Sequence, residues 1–337
     1  MLLLAVALLL SPAEGAVAEG SRLRTLRRFP VPIDSMDAMV RLAPGGVTVL
    51  AETESSLLFA CSREGHTLWQ RRLPSSSLEP SSIVGFDVDE GGRVFALEAS
   101  TGEVRVFEAK TGRPIGTVVV GSAYDNMILP TGSLAADGQG GFYVLAHRLA
   151  TLPPGPIHHF DLTGRLLRSF GPSGERSRRT PDEVMFGPGW IGRGPQGLLY
   201  YRPGGTLVFH RFTPEGQELS PITPPITLAR RAEQEPGDSV FGTQVLPDGK
   251  IVCEVVHRGA YTPGSVPGSM RTQVQPTLYL INADGSLHHS FKLPLVGEFG
   301  SFGAATGDGR LYFLTTKQKR RPGQTPELVE GVVEDSP

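Results

Sequence analysis

The feature that most constrains this chain is a short phrase that occurs six times, a glycine followed by a strand of aliphatic and aromatic residues. The phrases are Gly46 with Val47 to Ala51, Gly92 with Val94 to Leu97, Gly141 with Phe142 to Leu145, Gly197 with Leu198 to Tyr201, Gly249 with Ile251 to Val255, and Gly309 with Leu311 to Leu314. Successive glycines lie 46, 49, 56, 52 and 60 residues apart. A period of this length marks a repeat architecture, in which each unit buries its apolar face only against its neighbours.

A second phrase follows in five of the six units: a β run, a turn containing Gly65, Gly112, Gly164, Gly216 or Gly285, and another β run. Short Gly loops between β runs are hairpin signals. Each unit therefore reads as a four-stranded antiparallel meander, strands A to D, with the first glycine in the A–B turn and the second in the C–D turn. Six units over the 318 residues from Gly20 onward average about 53 residues, the size of a propeller blade, and no helical periodicity interrupts them. The expected fold is all-β, a six-bladed β-propeller. Composition agrees: 42 Gly and 29 Pro make a turn-dense chain, below the range of low-complexity disorder.

The sixth unit lacks a D strand of its own after Leu311 to Leu314 and a C strand at Leu328 to Val333. Leu23 to Pro32 resembles the D strands that start at Leu166 and Leu287. The expectation is a ring closed by this N-terminal strand, which removes two exposed sheet edges.

Ahead of it, Leu2 to Leu10 form an apolar run followed by Ser11, Pro12 and the small triplet Ala16, Val17, Ala18. This is a signal-peptide pattern, so residues 1–18 are expected to be removed and 19–337 to form the propeller. The run is about half of what a membrane-spanning helix needs. No Lys or Arg precedes it, and no cysteine precedes Cys61, which argues against lipid attachment. The reading is a secreted or periplasmic protein without a transmembrane segment. Cys61 and Cys253 fall at positions that other units fill with apolar residues, so both are expected to be buried, unpaired thiols.

With "GGFYVLAH" from Gly140, "IHHFDLTGRLLRSFG" from Ile157 and "GGRVFALEASTGEVRVFEAKTG" from Gly91, the chain resembles the NHL-type six-bladed β-propellers over nearly all of residues 19–337. It departs from them where Glu98 and His147 stand at a position usually held by Asp. The resemblance implies the fold more than an activity, because propellers host enzymes, receptors and scaffolds alike.

The chemistry is sparser. Enzymatic propellers of the lactonase-like and lyase-like families imply an axial metal held by the innermost strands. The acids near the A strands are Asp37, Asp87, Asp89, Asp137, Asp248 and Asp308, the last four beside turn glycines where a turn role suffices, and no histidine lies in an A strand. Neither a metal nor a cofactor is expected. His158-His159 and His288-His289 cannot chelate through both rings, since adjacent strand residues face opposite ways, and they read as outer-strand surface residues. No nucleophile elbow or phosphate-binding loop occurs.

In a four-stranded meander the A–B and C–D turns share one face while B–C and D–A connections share the other. The first face has tight Gly turns; the second has every long connection, including Gly121 to Thr131, Arg148 to Pro156, Gly171 to Glu183, Pro221 to Asp238, Arg258 to Pro276 and Lys317 to Pro326. Loops of that length are functional or disordered more often than not. From unit three onward this face carries thirteen Lys or Arg against seven acids. Arg forks suit carboxylate, phosphate or sulfate groups. The candidate ligand-binding residues are Arg178, Arg179, Arg230, Arg231, His257, Arg258, Tyr261 and Arg271, with Tyr261 as an apolar anchor. With a net charge of −2 and a reading of export, nucleic acid is excluded as a partner. Two functions stay open: a monomeric, non-catalytic binding or scaffold propeller for a protein, peptide or glycan, and a propeller hydrolase or lyase with an axial metal.

Overall fold

The glycines that punctuate the sequence sit at backbone positions that other residues avoid. Gly112, in a C–D turn, has φ +66°, and a Cβ there would lie 2.6 Å from the Trp69 ring of the preceding blade. Gly65 repeats the arrangement with φ +87° and the Phe29 ring at 2.7 Å. These turns need a left-handed residue and, at the same point, no side chain, so that each blade can close on its neighbour.

The computed structural model of the protein describes residues 22–33, 38–53, 55–73, 82–99, 101–120, 128–148, 156–172, 189–229, 237–263, 270–293, 300–315 and 326–334. Strand β1 is Arg22–Pro30. Blade one is β2 (Met39–Ala43), β3 (Val47–Glu52), β4 (Leu57–Cys61) and β5 (Thr67–Arg72); blade two is β6 (Ile83–Val88), β7 (Arg93–Glu98), β8 (Glu103–Glu108) and β9 (Pro114–Val119). Blade three is β10 (Ile128–Ala136), β11 (Phe142–Arg148), β12 (Ile157–Phe160) and β13 (Leu166–Phe170), and blade four is β14 (Trp190–Arg193), β15 (Leu199–Arg202), β16 (Phe209–Phe212) and β17 (Glu218–Ile222). Blade five is β18 (Ser239–Val245), β19 (Ile251–Pro263), β20 (Met270–Ile281) and β21 (Leu287–Lys292). Blade six is β22 (Ser301–Ala305), β23 (Arg310–Thr315) and β24 (Glu327–Glu334), completed by β1. All six sheets are antiparallel and pair their strands in sequence order apart from β1. The expected six-bladed propeller and its closing strand are both present; the signal-peptide pattern lies outside the described residues.

Closure is chemically specific. Leu23 lies opposite Val333 and Phe29 opposite Leu328. Glu330, whose side chain is fully buried, accepts from Arg27 Nε at 2.6 Å and from Arg310 Nη1 at 2.7 Å, so the N-terminal strand helps to neutralise a buried carboxylate of the strand it covers.

Burial is distributed over six layers, one between each pair of blades. Between blades one and two, for example, Val49, Leu58 and Trp69 pack against Phe86, Val94 and Phe107. Small residues at the start of A strands mark where neighbouring A strands converge: a Cβ on Gly242 would lie 2.5 Å from Phe302 O, and one on Gly303 would lie 2.5 Å from Val40 Cγ2. Cys61 and Cys253 are free and buried in such layers, as their repeat positions indicate.

One connection differs from its sequence reading. Arg258 to Pro276, expected to be a Gly- and Pro-rich loop, is mostly strand: β19 and β20 continue their pairing outward, with Tyr261 opposite Thr272, Thr262 opposite Arg271 and Pro263 opposite Met270. The register shift between Arg258 and Tyr261 spans Gly259. A β-bulge absorbs that glycine without ending the ladder, and the segment Arg271 to Gln275 is free of Gly and Pro. The neighbouring strands stop earlier, β18 at the pair Ser239–Val256 and β21 at Thr277–Lys292, so the ribbon leaves the blade unflanked by either. Its tip, 264–269, lies outside the described residues.

Candidate functional site: an axial basin and a projecting ribbon

On the tight-turn face, a cavity of about 840 Å³ runs from the propeller axis into the cleft between blades three and four. Its geometry follows from one repeat position on the A strands. Arg41, Asp87 and Gln244 occupy it in blades one, two and five, opposite Val49, Phe95 and Val252 on strand B. Ala135, Gly192 and Ala304 occupy it in the other three, and there the opposing residue is Tyr143, Tyr200 or Tyr312. Opposed residues of an antiparallel pair share a face, so a small A-strand residue leaves room for a phenol ring beside it.

The long polar residues stitch adjacent blades. Arg41 Nε donates to Asp87 Oδ1 at 3.1 Å, and the Ala136 backbone N–H donates to Asp87 Oδ2 at 2.8 Å, which joins blades one, two and three. Burial pushes the Asp87 carboxyl above its ordinary range, against the opposing pull of Arg41 and the Ala136 N–H. Gln244 donates to Ala305 O at 2.8 Å and accepts from Ala305 N at 2.6 Å, joining blades five and six.

The cleft between blades three and four corrects one sequence expectation. His158 and His159 are buried, not surface residues: His158 Nδ1 is 2.7 Å from Ser169 Oγ, and His159 Nε2 is 2.9 Å from Asp137 Oδ2. Strand β12 is an interior strand of its blade, and each ring is tolerated there because a hydrogen bond replaces water. Asp137 also has its expected turn role, accepting from the backbone N–H of Gln139 and Gly141. Burial alone would raise its carboxyl, but His159 and the two N–H groups outweigh it and hold the group below its ordinary value. The Tyr143 ring stacks on His159 at 4.2 Å between centroids. Burial, with the Asp137 charge adding to it, pushes the Tyr143 phenol up to about 12, so it stays protonated at neutral pH. By contrast, His288 is exposed, and it lies with His289 on the outer strand β21, as expected.

On the opposite face, His257 and Arg258 are brought together at the root of the β19–β20 ribbon. Asp238 accepts from His257 Nδ1 at 2.8 Å and from Arg258 N at 3.0 Å, and His257 Nε2 is 2.8 Å from Tyr279 Oη. Tyr261 and Arg271 lie farther out on the two strands of the ribbon. Arg178, Arg179, Arg230 and Arg231 lie outside the described residues. Sequence reasoning missed Asp238 and Tyr279, which no motif marks, and it missed Tyr143, whose signal was the repeated pairing of a small A-strand residue with a tyrosine. Among the described residues, no three His, Cys, Asp or Glu side chains are grouped so as to hold a metal ion, and no helix is long and apolar enough to cross a membrane.

These features define a six-bladed β-propeller with an axial basin on one face and a projecting ribbon on the other. No protein-family model and no curated protein matches the sequence. Solved structures do match in fold. A member of the DUF4221 family from Bacteroides vulgatus is similar at 10% identity over 94% of this chain and 99% of its own, with a TM-score of 0.57. A streptogramin B lyase is similar at 11% identity, with the same shares and a TM-score of 0.53. A Bacteroides fragilis protein named as exported is similar at 9% identity over 94% of this chain and 96% of its own, with a TM-score of 0.54. At such identities the likeness is one of fold.

Proposed function

We propose that the protein is an exported, non-catalytic binding propeller that captures a protein, peptide or glycan through its long-connection face. The observation that carries this reading is the β19–β20 ribbon. Strands of 13 and 12 residues outrun the other strands of the ring, and beyond Val256 and Thr277 they are flanked by neither β18 nor β21. A two-stranded ribbon is marginally stable by itself, and edges that β18 and β21 do not cover invite pairing, so stability does not account for it. Recognition does. The ribbon would form one wall of a groove, with Tyr261 as anchor and Arg258, Arg271, Arg178, Arg179, Arg230 and Arg231 orienting an acidic group of the partner.

Replacing Tyr261 to Arg271 with a short Gly-Ser link tests this. The expected result is an unchanged melting temperature with loss of partner capture from the native extracellular extract, followed by mass spectrometry. Unchanged capture would overturn the reading.

A further inference from the structure

The cleft between blades three and four, on the face opposite the ribbon, holds more hydrogen-bond donors than the protein uses. Tyr143 is 2% exposed and lines the basin, yet its hydroxyl makes no hydrogen bond to the described residues. Two guanidinium groups line the same cleft. Arg193 reaches Glu90 Oε1 with Nη1 at 3.3 Å, but the Glu90 side chain is 80% exposed, and Arg193 Nε is buried without a partner. Arg168, exposed on β13, donates through Nη1 to Pro214 O at 3.1 Å, and the rest of its fork makes no further hydrogen bond to the described residues.

The acids around the cleft do not supply the missing acceptors. Asp137 is engaged on both oxygens, by His159 on one and by Gln139 N and Gly141 N on the other. Glu215, on the rim, is held below its ordinary value first by the Thr213 hydroxyl. Glu90 points to solvent. By charge count the cleft is not basic, but most of its unspent capacity consists of donors: guanidinium N–H groups that cannot accept, and a phenol that stays protonated, beside His159 Nδ1, a buried ring nitrogen without a partner among the described residues whose role depends on the tautomer. The backbone preserves this arrangement, because Gly138 has φ +75° and a Cβ there would collide with the Arg193 guanidinium at 1.9 Å from Nη1.

We propose that this cleft binds an oxyanion, the carboxylate, sulfate or phosphate group of a small solute or sugar, between Arg168 and Arg193 with the Tyr143 hydroxyl as third donor. Paired guanidinium forks match the planar or tetrahedral oxygens of such groups, and a buried phenol adds a donor of fixed direction. Trp190, also lining the basin, offers an apolar surface for the body that carries the anion.

The test is calorimetric titration of the full protein with sodium sulfate, sodium phosphate and sodium succinate, each against sodium chloride at equal ionic strength, with thermal shifts in parallel. One-to-one binding of at least one probe is expected. A preference for succinate marks a carboxylate ligand, and a preference for sulfate or phosphate marks a tetrahedral one. Arg168→Gln and Tyr143→Phe should each weaken binding by about tenfold or more, the factor that ~1.4 kcal/mol represents, with unchanged melting temperature. Arg193→Gln should do the same, and if it fails to fold the other two variants still decide. The protein with its ribbon shortened should bind the probes as the parent does, which separates this site from the ribbon reading. No binding of any probe at tens of millimolar, or full binding by both Tyr143→Phe and Arg168→Gln, would overturn the proposal.

Discussion

Asp238 ties the last residue of a connection to the first residues of the ribbon: its Oδ2 is 2.8 Å from His257 Nδ1 and accepts from Ala229 N at 3.0 Å, while Oδ1 accepts from Arg258 N at 3.0 Å. One buried carboxylate thereby fixes where β19 leaves the blade.

Burial alone would raise the Asp238 carboxyl, but the N–H groups of Ala229 and Arg258 and then His257 outweigh it, and the group lies below its ordinary value. Its contribution to stability is therefore full above the unfolded value of ~3.9 and is lost as pH falls through the lower folded value. Asp238→Asn should cost about 1 to 3 kcal/mol in urea unfolding at neutral pH, and the gap between variant and parent should close on acidification. Hydrogen exchange should report faster opening at His257 and Arg258. A gap that widens in acid would be inconsistent with this role.

Deleting Arg22–Pro30 should do more than remove one strand. It exposes the long edge of β24 and leaves Arg310 as the remaining partner of the buried Glu330. The expected outcome is a protein that melts far earlier and self-associates, measured by calorimetry and light scattering. A synthetic peptide of that strand should restore part of the melting temperature.

Arg41→Gln removes the charge that keeps half-buried Asp87 partly compensated. The Asp87 carboxyl, already above its ordinary value, should rise further. An acid raised in the folded state destabilises as it ionises, so the variant should lose stability as pH climbs from ~4 towards neutrality, more steeply than the parent. Urea midpoints across that range decide the matter, and parallel curves for the two proteins would refute it.

Burial pushes the Cys61 and Cys253 thiols up to about 12. Thiolate is the reactive form, so neither should react with a disulfide reagent at neutral pH while folded, and both should react after denaturation. Rapid labelling of either residue in the folded protein would show that its layer opens.

The parts of this molecule that were legible in the sequence are those that repeat. Gly46, Gly92 and their equivalents recur because every blade needs the same turn, and Leu23 to Pro32 could be matched to D strands because the missing strand had five relatives for comparison. What breaks the repeat was harder to see. Gly259 looked like a loop residue because a bulge and a chain break have the same composition, and only pairing across to Val274 and Thr272 distinguishes them. His159 looked exposed because its partner, Asp137, stands 22 residues away in a turn that already explained the acid. Contacts made in one unit alone leave no periodic trace in either residue.

Arg27 and Glu330 meet although 303 residues separate them. The entropy of bringing such distant segments together is the largest loop-closure term in the molecule, and it is met only once the blades between them stand in order. Joining β1 to β24 is therefore the expected rate-limiting event in folding, a zipper stop and not a nucleus. Substitutions at that seam should leave early folding phases untouched and act on how long the closed ring stays shut.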